Sequence, residues 1–119
     1  MLTSIGKFLR KLRIDRGEIL KDMAEKLRVT VSFLSAVENG RKKMPSSWNA
    51  KICSLYNLNA QQQRDFTKAI AETEDVVEMD FDGMPFDRRE LAVSFARQFS
   101  DIDDQQAEEI RRILFGRGD

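Results

Sequence analysis

Residues 17–41, GEILKDMAEKLRVTVSFLSAVENGR, predict two short helices joined by a tight turn. The apolar residues of the first helix follow the spacing of one helical face, at Leu20, Met23, Ala24 and Leu27. Thr30 can cap the second helix, which we expect over residues 31–39, and Gly40 can end it. The small Ala24 side chain allows the two helices to cross closely, at the steep angle of a helix-turn-helix pair.

Three more helices are predicted around this pair. The helix before it begins at Thr3 or Ser4, and its apolar stripe is Ile5, Phe8, Leu9 and Leu12. The helix after it opens at residues 45–47 and carries Trp48, Ile52, Leu55 and Tyr56. Asn59 and Gln62 form a capping box for a fifth helix that ends near Thr73.

The rest of the chain follows a different pattern. Val77, Met79 and Phe81 alternate with acidic residues, which predicts one short strand, paired across a dimer axis. Capping boxes at Asp87–Glu90 and Asp103–Gln106 predict two C-terminal helices. We therefore expect a mainly α chain with a helix-turn-helix domain at 1–73 and a dimerisation or interaction module at 74–119. The tail has more large apolar residues than two short helices can bury, so some must cover the first domain, a second copy or another protein. We prefer a second copy and assign dimerisation to Val77, Met79, Phe81, Phe95 and Phe99.

Charge is unevenly distributed, although the chain as a whole is neutral. Residues 1–51 hold 12 Lys and Arg against 5 Asp and Glu, whereas residues 52–119 hold 8 against 15. Such asymmetry favours a nucleic-acid-binding face in the first half and a second half that does not bind DNA.

Several function classes are excluded. The chain has one cysteine, Cys53, and no histidine, so a disulfide framework and a Cys/His zinc site both lack their residues. Glu78, Asp80 and Asp82 imitate the start of a calcium loop, but Arg89 stands where the loop needs a bidentate Glu. We expect no enzyme activity, no cofactor and no metal. Without a long apolar run or a signal peptide, we also expect no membrane association and a cytoplasmic location.

Three segments together resemble the Cro/lambda-repressor-like, or xenobiotic-response-element (XRE) type, helix-turn-helix family. They are IGKFLRKLRIDRG at 5–17, MAEKL at 23–27 and VTVSFLSAVENGR at 29–41, and the resemblance covers roughly residues 4–70. It implies a five-helix, lambda-repressor-like domain whose second helix of the pair lies in the DNA major groove. Two positions depart from the family: Leu20 replaces a Gln that contacts phosphate, and Arg28 replaces a Gly in the turn.

The DNA-contacting residues follow from this placement. Val31, Ser32, Ser35 and Ala36 lie opposite Leu34 and Val37 and are expected at base edges. The resemblance gives phosphate contacts to Asn39 and to the basic loop Arg41–Lys43, and Lys21 can replace the missing Gln. The complete predicted set is Lys21, Thr30, Val31, Ser32, Ser35, Ala36, Asn39, Arg41, Lys42 and Lys43. Glu38 is expected to pair with Arg10 or Arg13, and Phe33 either packs on the fourth helix or is exposed.

Function remains open between three hypotheses. The first is an autoregulating transcriptional repressor that binds a palindromic operator as a dimer. The second is the antitoxin of a toxin–antitoxin pair, which would bind operator DNA and a toxin protein. The third is an interaction module that keeps the fold without binding DNA.

Overall fold

The computed structural model describes residues 1–116, and that part of the chain is mainly helical with no strand. Seven α-helices occur in chain order: α1 (Ser4–Arg16), α2 (Leu20–Leu27), α3 (Val31–Glu38), α4 (Trp48–Leu55), α5 (Ala60–Thr73), α6 (Phe86–Gln98) and α7 (Asp104–Phe115). A 3₁₀ turn, Phe99–Asp101, follows α6. No helix in the described residues is both long and apolar enough to cross a membrane.

The chain forms two compact units, an N-terminal unit of Met1–Met79 and a C-terminal unit that begins at Asp80. The N-terminal unit holds α1 to α5 and also the residues that follow the end of α5 at Thr73. The C-terminal unit holds α6 and α7. The assignment of a DNA-binding domain to 1–73 and of an interaction module to 74–119 stays a prediction.

All five helices of the N-terminal unit contribute to its core. Its buried apolar residues are Ile5, Leu9, Leu12, Met23, Ala24, Leu27, Leu34, Val37, Met44, Trp48, Ile52, Tyr56, Leu58, Phe66 and Ala69. The first and fifth helices pack together, because the Phe8 and Phe66 rings stack with their centroids 4.9 Å apart. The Ile5 N–H also donates to Thr73 Oγ1 at 3.2 Å, which joins the start of α1 to the end of α5.

Most of the predicted helix caps are confirmed. The hydroxyls of Thr3 and Thr30 accept from backbone N–H groups in the first turns of α1 and α3, each at 3.0 Å. Capping boxes form at Asn59–Gln62 and Asp103–Gln106. The box predicted at Asp87–Glu90 is wrong: α6 begins at Phe86 with Pro85 at the cap. The Pro85 carbonyl already accepts from the first turn, so Asp87 lies inside the helix, where its charge favours the N-terminus.

The strand predicted around Val77, Met79 and Phe81 is also wrong. These residues lie in a segment without regular secondary structure, and Val77 and Met79 are exposed. An alternating pattern sets which side chains share a face, but a strand also needs a second strand to accept its backbone hydrogen bonds. The described residues supply no such partner, since no strand occurs among them.

Candidate nucleic-acid interface

The turn between α2 and α3 is short and is closed by backbone hydrogen bonds. Arg28 ends α2 in the left-handed conformation, with φ 58° and ψ 43°. The Val29 N–H donates to the Ala24 carbonyl at 3.0 Å and closes the end of α2. Thr30 then opens α3 as its cap. A residue other than Gly in this conformation costs on the order of 1 kcal/mol, and the buried contacts of both helices offset it.

The third helix has one buried edge and one exposed edge. Leu34 and Val37 are buried in the core, and the Phe33 ring packs edge-on against Trp48 with centroids 6.0 Å apart. Phe33 therefore packs on the fourth helix, one of the two alternatives that the sequence left open. The opposite edge carries the predicted base-reading residues: Val31 and Ser32 are exposed, and Ser35 and Ala36 are half-buried. The capping residue Thr30, also in the predicted DNA-binding set, is exposed.

A buried ion pair fixes α3 against the first two helices. The Arg13 guanidinium binds the Glu38 carboxylate through two nitrogens, and its Nη2–Oε1 distance is 3.1 Å. Arg13 also donates to Met23 Sδ at 3.3 Å, so one side chain joins α1, α2 and α3. Of the two arginines predicted as partners of Glu38, the structure thus selects Arg13. Since both side chains are almost fully buried, the pair sets the position of α3 rather than contacting a ligand.

The close approach of α1 to α3 depends on Gly6, which the sequence pattern did not single out. A Cβ at Gly6 would lie 2.1 Å from the carbonyl oxygen of Glu38. That carbonyl also accepts from the Thr3 N–H at 3.0 Å. Sequence patterns give helix faces but not the distance between two helix backbones, so only the glycine itself could have suggested this close approach.

The basic loop Arg41–Lys43 is held against the end of α3 by its backbone. The N–H groups of Arg41 and Lys42 both donate to the Ala36 carbonyl, at 2.8 and 3.2 Å. Met44, directly after the loop, is buried in the core. The three cationic side chains are exposed. The loop therefore presents three positive charges at a fixed place beside α3.

Four of the ten predicted DNA-binding residues line two separate clefts. Ser35 and Asn39 line one cleft, together with Arg10 and Leu20 and with the Arg13–Glu38 pair. Lys42 and Lys43 line another cleft, at the start of α1. Lys21, exposed on the first turn of α2, lines neither.

Asn39 and Leu20 have roles within the fold as well. The Asn39 amide donates one hydrogen to the Ser35 carbonyl at 2.9 Å, and its second amide hydrogen is available to another acceptor. Leu20, at the position where the family has Gln, packs against the core. Arg10 is exposed at the same cleft and is a cation that the predicted set does not include.

A cluster around Tyr56 ties α2 to the end of α4. The Tyr56 hydroxyl donates to Glu18 Oε1 at 2.7 Å, and Lys26 pairs with the other oxygen of Glu18. Burial alone would raise the pKa of Glu18, but the hydrogen bonds from Lys26 and Tyr56 bring it below its ordinary value. Burial and the neighbouring Glu18 carboxylate raise the pKa of Tyr56, so its hydroxyl stays a donor. The cluster is structural, and it holds the helix that precedes the turn.

The residues predicted to dimerise differ in their surroundings. Val77 and Met79 are exposed, whereas Phe81 is half-buried with the Arg89 guanidinium 5.7 Å from its ring centroid. Phe95 and Phe99 lie at the end of α6 and in the following turn, with ring centroids 5.3 Å apart, and both are exposed. Their role in a dimer stays a prediction.

Comparison with known proteins gives a family match and two regulator relatives. A family model described as a helix-turn-helix domain matches residues 4–66, just over half of the chain. The transcriptional regulator ClgR of Mycobacterium tuberculosis, from strains CDC 1551/Oshkosh and H37Rv, is 33% identical over 54 residues. The match covers 45% of this chain and 48% of ClgR, so the chain spans about half the length of the curated relatives it matches. No solved structure matches the chain significantly.

Proposed function

The chain belongs to the helix-turn-helix domain family, and on this basis we propose that it is a sequence-specific, double-stranded DNA-binding regulator of transcription. The family match confirms the XRE-type resemblance, and this family is not one of enzymes. The observation that carries the proposal is the position of the exposed edge of α3 beside a backbone-anchored loop of three cations. That combination supplies base contacts and phosphate contacts from one rigid element.

The proposed contacts follow from exposure along α3. Val31 and Ala36 pack on thymine methyl groups, and Ser32 and Ser35 bond base edges. Thr30 lies at the end of α3 that enters the groove, and Lys21 binds a phosphate from α2. Asn39 and the loop Arg41–Lys43 bind phosphates and set the register of α3 on the duplex. None of the base-facing residues is Arg, Asn or Gln, so DNA shape contributes to the choice of site.

The proposed regulator is a repressor of its own gene that acts as a dimer on a palindromic operator. Two copies related by a two-fold axis would place their α3 helices in successive major grooves, about 34–36 Å apart. The likeness to ClgR, which carries the name transcriptional regulator, supports the regulatory part of this proposal.

Fluorescence anisotropy tests DNA binding with labelled upstream DNA and scrambled DNA over a series of salt concentrations. We expect the upstream duplex to bind at least about 10³-fold more tightly than the scrambled one. The Arg41→Ala/Lys42→Ala/Lys43→Ala variant should flatten the dependence of log affinity on log salt by about 0.9 for each phosphate that the loop no longer neutralises. Lys7→Ala/Lys11→Ala/Lys68→Ala removes the same charge from exposed positions on α1 and α5 and is the matched control. Equal slopes for the two triple variants would refute the loop assignment.

A second candidate function is an antitoxin, favoured by the exposed apolar residues of the C-terminal unit. An antitoxin would cover these residues with a toxin protein, and its gene would adjoin a gene for a small protein that co-purifies with it. A repressor would instead be stable alone as a dimer. The mass of the particle distinguishes the two functions when it is measured for the chain expressed alone and for the chain co-expressed with its neighbouring gene.

A further inference from the structure

The C-terminal unit leaves its apolar side chains uncovered. None of the residues of α6, the 3₁₀ turn or α7 is buried. Exposed large apolar residues in these elements are Phe86, Leu91, Val93, Phe95, Phe99, Ile113, Leu114 and Phe115. Ile113 is 79% exposed and Leu114 is 72% exposed, although Leu and Ile are usually among the most buried residues.

Some of these residues form one apolar groove between the two helices. The groove is lined by four polar residues, Ser94, Gln98, Gln106 and Glu109, and by five apolar ones: Leu91 and Phe95 from α6, Ile110 and Ile113 from α7, and Ile102 between the two helices. We call the five apolar residues the hairpin groove. Leu114 and Val93 are equally apolar and exposed but do not line it. The exposed apolar residues of the C-terminal unit therefore fall into two groups, those that line the groove and those that lie outside it.

Such a unit needs a partner to be stable. Helices of 13 and 12 residues are marginal in water unless an apolar face is packed. Where a small unit such as this one lacks a buried core, disulfides, a metal or association with another apolar surface usually stabilises it. The single cysteine of the chain, Cys53, lies outside it, and the described residues contain no cluster suited to a metal ion. Association with another apolar surface would supply the missing contacts.

The net charges of α6 and α7 favour a second copy of the same unit as the partner that packs on the hairpin groove. The sixth helix has a net charge of +1, from Arg88, Arg89 and Arg97 against Asp87 and Glu90. The seventh helix has a net charge of −1, from Asp104, Glu108 and Glu109 against Arg111 and Arg112. In a two-fold arrangement that packs α6 of one copy against α7 of the other, each contact joins helices of opposite sign. Packing α6 on α6 would join like charges.

We propose that the hairpin groove packs against the same groove of a second copy, and that the C-terminal unit folds only in this dimer. Four helices then share one apolar core, as in a helix bundle. The inference specifies the dimer of the proposed function, with α6 and α7 as its interface in place of the strand that does not form. It does not depend on DNA binding, because dimer formation is measured without DNA.

The test compares neighbouring substitutions in the full chain. Ile113→Glu places a charge in the groove, whereas Leu114→Glu places it one residue away at a similar exposure. Leu91→Glu and Val93→Glu form the same comparison on α6. Because all four side chains are exposed in the single chain, the substitutions cost little within one copy. We expect Ile113→Glu and Leu91→Glu to raise the dimer dissociation constant by about 100-fold or more, since each removes two buried apolar groups per dimer.

Analytical ultracentrifugation gives the dissociation constant, and two optical probes follow the two units separately. The only tryptophan, Trp48, is buried in the N-terminal unit and reports that unit alone. Dilution below the dissociation constant should lower the helical circular dichroism while Trp48 fluorescence stays native. The inference is overturned if the chain is monomeric at all concentrations, or if the groove variants and their neighbours behave alike. Specific DNA binding by a monomer would overturn this inference and leave the DNA-binding function standing.

Discussion

Gly6 allows the backbones of α1 and α3 to approach closely. This approach sets the position of α3, the helix that we assign to DNA binding. Gly6→Ala raises helix propensity by about 1 kcal/mol, yet it places a Cβ 2.1 Å from the Glu38 carbonyl oxygen. Backbone atoms cannot move aside as a flexible side chain can, so we expect a net loss of about 3 kcal/mol in the free energy of unfolding. Urea unfolding followed by Trp48 fluorescence measures it.

Gly17→Ala is the control for this prediction. Gly17 also needs its left-handed φ of 66°, but a Cβ there would meet no atom within 4 Å. Only the backbone conformation is strained, which costs about 1 kcal/mol. If Gly6→Ala proves no more destabilising than Gly17→Ala, the backbones of α1 and α3 do not approach closely enough at Gly6 to exclude a Cβ.

We expect the free energy of unfolding to depend strongly on the presence of both Arg13 and Glu38. Glu38→Gln leaves the Arg13 guanidinium buried without its counter-charge, and we expect unfolding free energy to fall by about 3–5 kcal/mol. Replacing both residues, as Arg13→Met/Glu38→Leu, removes the buried charges together and should recover most of that loss. Urea unfolding of Arg13→Met, of Glu38→Leu and of the double variant checks this. A double variant as unstable as the sum of the single ones would contradict the pairing.

The cluster around Tyr56 should make the free energy of unfolding depend on pH through Glu18. The pKa of Glu18 is lower in the folded chain than its ordinary value of 4.5. A lowered folded pKa contributes stability above the unfolded pKa, and that contribution is lost as pH falls through the folded pKa. The difference in unfolding free energy between the native chain and Glu18→Gln should therefore be largest above pH 4.5 and shrink below it.

Unfolding at a series of pH values measures that difference. Glu25→Gln, at an exposed position of α2, is the control for the loss of one negative charge. A Glu18→Gln difference that grows as pH falls below 4.5 would contradict the assigned direction.

The helices could be predicted from the sequence where the deciding interactions are local. The caps at Thr3, Thr30 and Asn59 act within three residues of the chain, so their residue types identified them. The strand around Val77 could not be decided this way, because a strand depends on a partner elsewhere. The choice of Arg13 over Arg10 for Glu38 depends on which way each side chain leaves α1, and the close approach at Gly6 depends on how two helices cross.

The two units differ in net charge: residues 1–79 hold 14 Lys and Arg against 10 Asp and Glu, whereas residues 80–119 hold 6 against 10. The basic first half supplies α1 to α3 and the loop Arg41–Lys43, whereas the acidic second half includes the C-terminal unit. In the proposed function, positive charge would attract DNA to the N-terminal unit, and negative charge would keep the C-terminal unit available for contact between copies. We therefore expect the N-terminal unit to bind the operator and the C-terminal unit to join two copies, so that operator affinity depends on protein concentration.

The specificity ratio of a serine variant tests most directly whether α3 reads bases. Anisotropy would give the ratio of affinities for upstream and scrambled DNA, for the native chain and for Ser32→Ala/Ser35→Ala. Ser54→Ala/Ser100→Ala changes two exposed serines outside α3 and is the control. We predict that the α3 variant lowers the ratio by about tenfold or more while its affinity for scrambled DNA stays unchanged. An unchanged ratio, or an equal loss in the control, would contradict the assignment of α3 to the major groove.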